Sequence, residues 1–70
     1  MQLIKAVDAK LGNIIAMPVT VHTGVVQMVM GKLVSRTFED VDGWITLTIE
    51  TKAGKVAHDY PFDDLIVKEV

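Results

Sequence analysis

The sequence predicts a mostly β protein: five short strands closed into one small barrel, with a short helix in front. Three observations carry that expectation. From Trp44 onward, Ile45, Leu47 and Ile49 fall on one side of the chain and Thr46, Thr48 and Glu50 on the other. Such strict alternation of β-branched and polar residues marks a half-buried strand. Turn chemistry then brackets it, with Asp42-Gly43 before and Lys52-Ala53-Gly54-Lys55 after. Finally, the apolar run over residues 25–38 is too long for a small flat sheet and is interrupted by Gly31. A glycine inside such a run marks a bulge or sharp bend, where one strand passes between the two halves of a barrel.

Taken in order, residues 2–11 have two readings. Leu3, Ile4, Val7 and Leu11 share one helical face, and Gly12-Asn13 supplies a C-terminal cap, which favours a helix. The alternative is a short strand with Leu3, Lys5 and Val7 alternating. Residues 14–22 read as a strand with Met17, Val19 and Val21 inward, and Pro18 assigns it to an edge or a strand beginning. His22-Thr23-Gly24 makes the next turn. The long strand follows, with Val26, Met28 and Met30 on one face before Gly31. Residues 39–43 form a polar loop, residues 44–51 the central strand and residues 55–60 its hairpin partner. Pro61-Phe62-Asp63-Asp64 reads as a tight turn and residues 65–70 as the last strand.

Seventy residues make one domain, covering 1–70. A chain of this size buries only about 60% of its unfolded surface. Yet half of the residues are apolar and the mean hydropathy is positive. That excess predicts a homo-oligomer or a protein partner that covers apolar surface. The absence of cysteine excludes disulfides and thiolate chemistry and fits a reducing, cytoplasmic compartment. No uninterrupted apolar segment of membrane-spanning length occurs, and the N-terminus has no signal-peptide pattern, so a soluble protein is expected. The net charge of −2 is split, with +3 in residues 1–36 and −5 in residues 37–70. One arginine in a mildly acidic chain is a poor general phosphate binder.

Val29-Met30-Gly31-Lys32-Leu33 resembles the apolar-x-Gly-x-Leu bend of Sm-like proteins, and Ile45-Thr46-Leu47 beyond the loop adds to the likeness. The Gly-Trp-Ile-Thr-Leu hairpin followed by Tyr60-Pro61-Phe62-Asp63-Asp64-Leu65-Ile66 is similar to SH3-like barrels. The resemblance implies a small barrel and a ring-like assembly through edge strands. Two departures stand against carrying over Sm RNA-binding residues. Val34-Ser35-Arg36-Thr37-Phe38 lacks the family's loop asparagine, and no Arg-Gly or Lys-Gly step lies between Tyr60 and Leu65.

Motifs with catalytic or cofactor chemistry are missing. There is no phosphate-binding glycine loop. Asp40-Val41-Asp42-Gly43 fails as a calcium loop, because its first and twelfth positions would be Phe38 and Ile49. His58, Asp59, Asp63, Asp64 and His22 lack the spacing of a metal set, and no cofactor is expected. Ser35 is the only serine and nothing ties it to a histidine. Asp63 and Asp64 are adjacent, so they point apart on an extended chain. The expectation is a non-enzymatic accessory protein: a self-associating interaction module whose contact residues are Val25, Val26, Met28 and Met30. One alternative is an Sm-like ring binding RNA or single-stranded nucleic acid through Lys32, Arg36, Lys52 and Lys55. Another is an oligomer holding a small ligand in a pocket between subunits, lined by Trp44, His58 and Tyr60. Core packing remains the preferred reading for Trp44, Tyr60 and Phe62, with Trp44 and Tyr60 meeting as a cross-strand pair.

Overall fold

The computed structural model describes residues 1–40 and 42–69. Val41 of the polar loop and Val70 of the expected last strand lie outside the described residues. Among the described residues six strands form one antiparallel sheet: β1 (Gln2–Lys5), β2 (Ile14–Thr20), β3 (Val26–Phe38), β4 (Trp44–Thr51), β5 (Gly54–Pro61) and β6 (Leu65–Lys68). Their order across the sheet is β1-β6-β2-β3-β4-β5. The β fold is as expected. The closed five-stranded barrel is not, because a sixth strand is present and no ladder joins β5 to β1 among the described residues.

The extra strand is the N-terminal segment, expected as a helix. Its apolar residues suit a helical face, but a helix this short pays its nucleation cost without enough turns to recover it. A waiting strand edge offers more. Residues 2–5 pair with residues 65–68 of β6 in a continuous four-residue register, Gln2 against Lys68 and Lys5 against Leu65. A single 3₁₀ turn, Ala6–Asp8, follows. The Ala6 N–H donates to the Asp64 carbonyl at 2.8 Å and the Val7 N–H to the Phe62 carbonyl at 3.2 Å. These bonds fasten the turn to the β5–β6 corner, and it packs there against β4 and β5. The sheet therefore folds over itself, with β2 and β5 meeting across the core although two strands separate them in the ladder.

The core lies on the inner face of this fold. Ile15 and Met17 from β2, Leu33 from β3, Ile45, Leu47 and Ile49 from β4, Tyr60 and Ile66 fill it, with Ala6 and Ala9 closing one side. Alternation in β4 places its three aliphatics inward, as its sequence pattern requires. Gly43 takes φ +90°, a conformation that a side chain would strain. Its carbonyl accepts the Phe62 N–H at 2.8 Å, so the turn before β4 is tied to the turn after β5.

β3 is where the fold is decided. Its residues 26–32 pair with β2 and its residues 32–38 with β4, so one strand serves two ladders that share only Lys32. The bulge expected at Gly31 falls instead at Val34, where the register with β4 shifts between Leu33 and Ser35. Gly31 serves the crossing by what it lacks. A Cβ there would stand 2.6 Å from the Glu50 carbonyl oxygen and 3.1 Å from the Ile49 Cδ1. Backbone cannot swing aside as a side-chain tip can. Gly31→Ala is expected to destabilise the protein by about 1–3 kcal/mol, the range for overpacked cores. Thermal unfolding checks this, with a fall of roughly 4–8 °C per kcal/mol at this size. An unchanged midpoint would contradict the crossing argument.

Candidate functional site

The β2–β3 hairpin extends beyond the rest of the sheet as a two-stranded ribbon. Register places Thr20, Pro18 and Ala16 opposite Val26, Met28 and Met30, so these six side chains share the outer face. Met17, paired with Val29, takes the inner face and is buried. On the outer face Val26 is 60% exposed, Met28 61% and Met30 45%, and Val25 at the ribbon tip is exposed as well. Three of the four sequence-predicted contact residues, Val26, Met28 and Met30, thus share one face, with Val25 exposed at the tip beside them.

The ribbon also has bare edges. β2 meets β6 at the single pair Ile15–Lys68, and β4 begins to pair with β3 only at Lys32. Residues 26–30 therefore have no described strand partner on the side away from β2. The polarity of that edge follows from the hairpin tip, where the Val21 N–H donates to the Val25 carbonyl at 3.0 Å. Hydrogen-bonded and non-bonded pairs alternate in an antiparallel ladder. Counting back from Val21–Val25, the Val19–Gln27 and Met17–Val29 pairs are bonded, while Thr20–Val26 and Pro18–Met28 are not. Pro18 fits that count, since it has no N–H to give. The backbone N–H and C=O groups of Val26 and Met28 consequently face the open side. Pro18 removes a donor from the β2 edge, a familiar way of blunting an edge strand. Residues 26–30, Val-Gln-Met-Val-Met, carry no charge and no proline, so the β3 edge has no such protection.

The other candidate residues are not brought together. Thr51 pairs with Gly54, leaving Lys52 and Ala53 as the loop, so Trp44 stands against Pro61 and Ile45 against Tyr60. Trp44 is on the outer face and 40% exposed, whereas Tyr60 is buried on the inner face. The expected Trp44–Tyr60 pair is corrected by that register. His58 and Tyr60 do meet, with ring centroids 4.6 Å apart. Phe62 is half-buried against the core and takes Phe38 edge-on at 5.7 Å. Among the cations, Lys32 and Lys55 lie in one cross-strand row on either side of Glu50. Arg36 pairs with Leu47, whose side chain is buried, and so lies on the inner side of the sheet.

Sequence reasoning missed a carboxylate pair. The Thr46 hydroxyl stands 2.7 Å from both Glu39 Oε1 and Asp59 Oδ1 and has one proton to donate. Its hydrogen bond, followed by that from Glu39 and then the nearby His58 charge, holds the exposed Asp59 carboxyl below its usual range. Extending the β4–β5 register from the Lys52-Ala53 loop would have placed Asp59 opposite Thr46. No cluster of three or more metal-ligating side chains occurs among the described residues. No helix among them is long and apolar enough to cross a membrane.

Burial, with the Asp64 charge adding to it, pushes Tyr60 up from 10.0 to about 12. Above pH 10 the unfolded chain releases this proton while the folded one keeps it, so the contribution to stability is full below pH 10 and lost towards pH 12. Tyr60 is the only tyrosine, so phenolate absorbance reports it alone. The titration midpoint is expected near 12 in the folded protein and near 10 after unfolding. One common midpoint would contradict the burial. Comparison with protein-family models, curated proteins and solved structures finds no match to this chain.

Proposed function

We propose that the protein is a non-catalytic interaction module that assembles with copies of itself through the β3 edge of the β2–β3 ribbon. The observation that carries this reading is a coincidence of two surfaces on the same residues. Val26 and Met28 present unpaired backbone groups to the open side and exposed apolar side chains to the outer face. Unpaired edges and apolar patches each favour association.

The occupant that suits both is a second copy. A strand edge is complementary to itself when a two-fold axis reverses its direction, which gives an isologous antiparallel pair. Such a pair centred near Met28 would continue the sheet and bring two Val-Met faces together. Methionine adapts its shape to an apolar contact better than branched residues do. Blunting of the β2 edge by Pro18 leaves the β3 edge as the preferred route.

Two other readings have less support. A nucleic-acid surface built from Lys32, Arg36, Lys52 and Lys55 would have its cations divided, with Arg36 inside and Lys32 and Lys55 beside Glu50. A ligand pocket between subunits lined by Trp44, His58 and Tyr60 would need the outer face of one copy set against the inner face of another.

Met28→Asp places a charge on the exposed face without touching the core. The wild-type protein is expected as an oligomer by native mass spectrometry, and the variant as a folded monomer with unchanged circular dichroism. A monomeric wild type, or a variant that keeps the wild-type mass, would overturn the proposal.

A further inference from the structure

A second surface shares no residue with the ribbon face. The bulge at Val34 shifts the alternation of β3 by one residue, so that Arg36 rather than Ser35 or Thr37 lies inward beyond Leu33. There Arg36 lines a cleft of about 460 Å³ beside the 3₁₀ turn, together with Lys10, Lys68, Gln2, Asn13 and Asp8. Lys68 faces Gln2 across the β1–β6 ladder, which carries both to the same side of the cleft. Its walls thus hold three cations against one carboxylate. Lys5–Asp63 is the only ion pair among the described residues, so none of the three has a carboxylate of a described residue within pairing distance.

The guanidinium of Arg36 is held in place yet incompletely used. Its Nη2 donates to the Val7 carbonyl at 2.7 Å, and its centre lies 5.4 Å from the Phe38 ring centroid. Those contacts fix its plane before any ligand arrives, which lowers the entropy lost on binding. Its Nε is buried and has no hydrogen-bond partner among the described residues, so it is closed to a ligand in the cleft as it is to water. What the guanidinium offers a ligand is its charge and its outer nitrogens, for which an oxyanion is the natural acceptor. Neutral donors stand nearby. Asn13 Oδ1 accepts the Lys10 N–H at 2.8 Å, leaving its amide nitrogen free to donate, and Gln2 adds a second amide.

From this geometry we propose that the cleft binds the phosphate group of a small organic phosphomonoester, with Arg36, Lys68 and Lys10 as its charge partners. The net charge of the lining matches a group that carries about −1.5 to −2 near neutral pH. The volume falls within the range of small-molecule sites. Ile4, Val7 and Ala9 complete the walls and offer an apolar seat to the rest of the ligand.

Titration with inorganic phosphate, followed by amide and Arg36 Nε–H NMR signals, tests the site against sodium chloride at matched ionic strength. Saturable shifts at Gln2, Asn13, Lys68 and Arg36 are expected with phosphate and not with chloride. Arg36→Gln also removes the bond to Val7 and risks the fold, so Lys68→Gln and Lys10→Gln carry the comparison. Each is expected to weaken phosphate binding by about tenfold, the loss of one charge-assisted hydrogen bond. Shifts that do not saturate, that chloride reproduces, or that survive both lysine substitutions would overturn the proposal.

Discussion

Where β3 crosses β4, the chain at Gly31 runs so close to the Glu50 carbonyl that a Cβ would lie 2.6 Å from the oxygen. Much of the architecture depends on that approach. It lets one thirteen-residue strand leave the β2 ladder and enter the β4 ladder with Lys32 as the only shared position. With a side chain at this point the two ladders would have to separate, and Leu33 and Ile49 would lose their shared core. The same crossing leaves residues 26–30 paired on one side only. Compact packing of the sheet and exposure of the ribbon are thus consequences of one constraint.

The bulge three residues later has a comparable reach. By moving the alternation one step, it places Arg36 and Phe38 on the inner side, where plain alternation would have put Ser35 and Thr37. Arg36 then binds the Val7 carbonyl and secures the 3₁₀ turn, and Phe38 meets Phe62 edge-on. The turn in turn is fastened to the β5–β6 corner through Ala6 and Val7. A small sheet that does not close by hydrogen bonds between its edge strands is closed at one side by these side-chain and turn contacts. That matters for a chain of this length, whose expected stability is only roughly 4–10 kcal/mol in all.

Much of this was legible in local sequence. Alternation in residues 44–51, the glycine turns, the Pro61 corner and the common face of Val26, Met28 and Met30 need only neighbours along the chain to be read. What was not legible depended on distant partners. Residues 2–5 become a strand because β6 offers an edge; the alternation of Leu3, Lys5 and Val7 allowed that reading, but nothing local could choose it over the helical face. The site of the bulge reflects how β3 must lie on β4, and Gly31 drew attention away from Val34. The position of Trp44 was a different case. The two-residue loop fixes the β4–β5 register, and counting outward from it assigns Trp44 to Pro61 and separates it from Tyr60. Arg36 was read as a contact on an exposed face, because its inward direction is a product of the bulge alone.

The central claim is that the open edge at residues 26–30 is a surface for pairing with a second copy. Amide hydrogen exchange, resolved residue by residue at two widely separated protein concentrations, tests it most directly. Gln27 and Val29 bond within the hairpin and should be protected at both concentrations. Val26 and Met28 face the open side and should exchange quickly when dilute and slowly when concentrated. Rapid exchange of Val26 and Met28 at both concentrations would contradict the account.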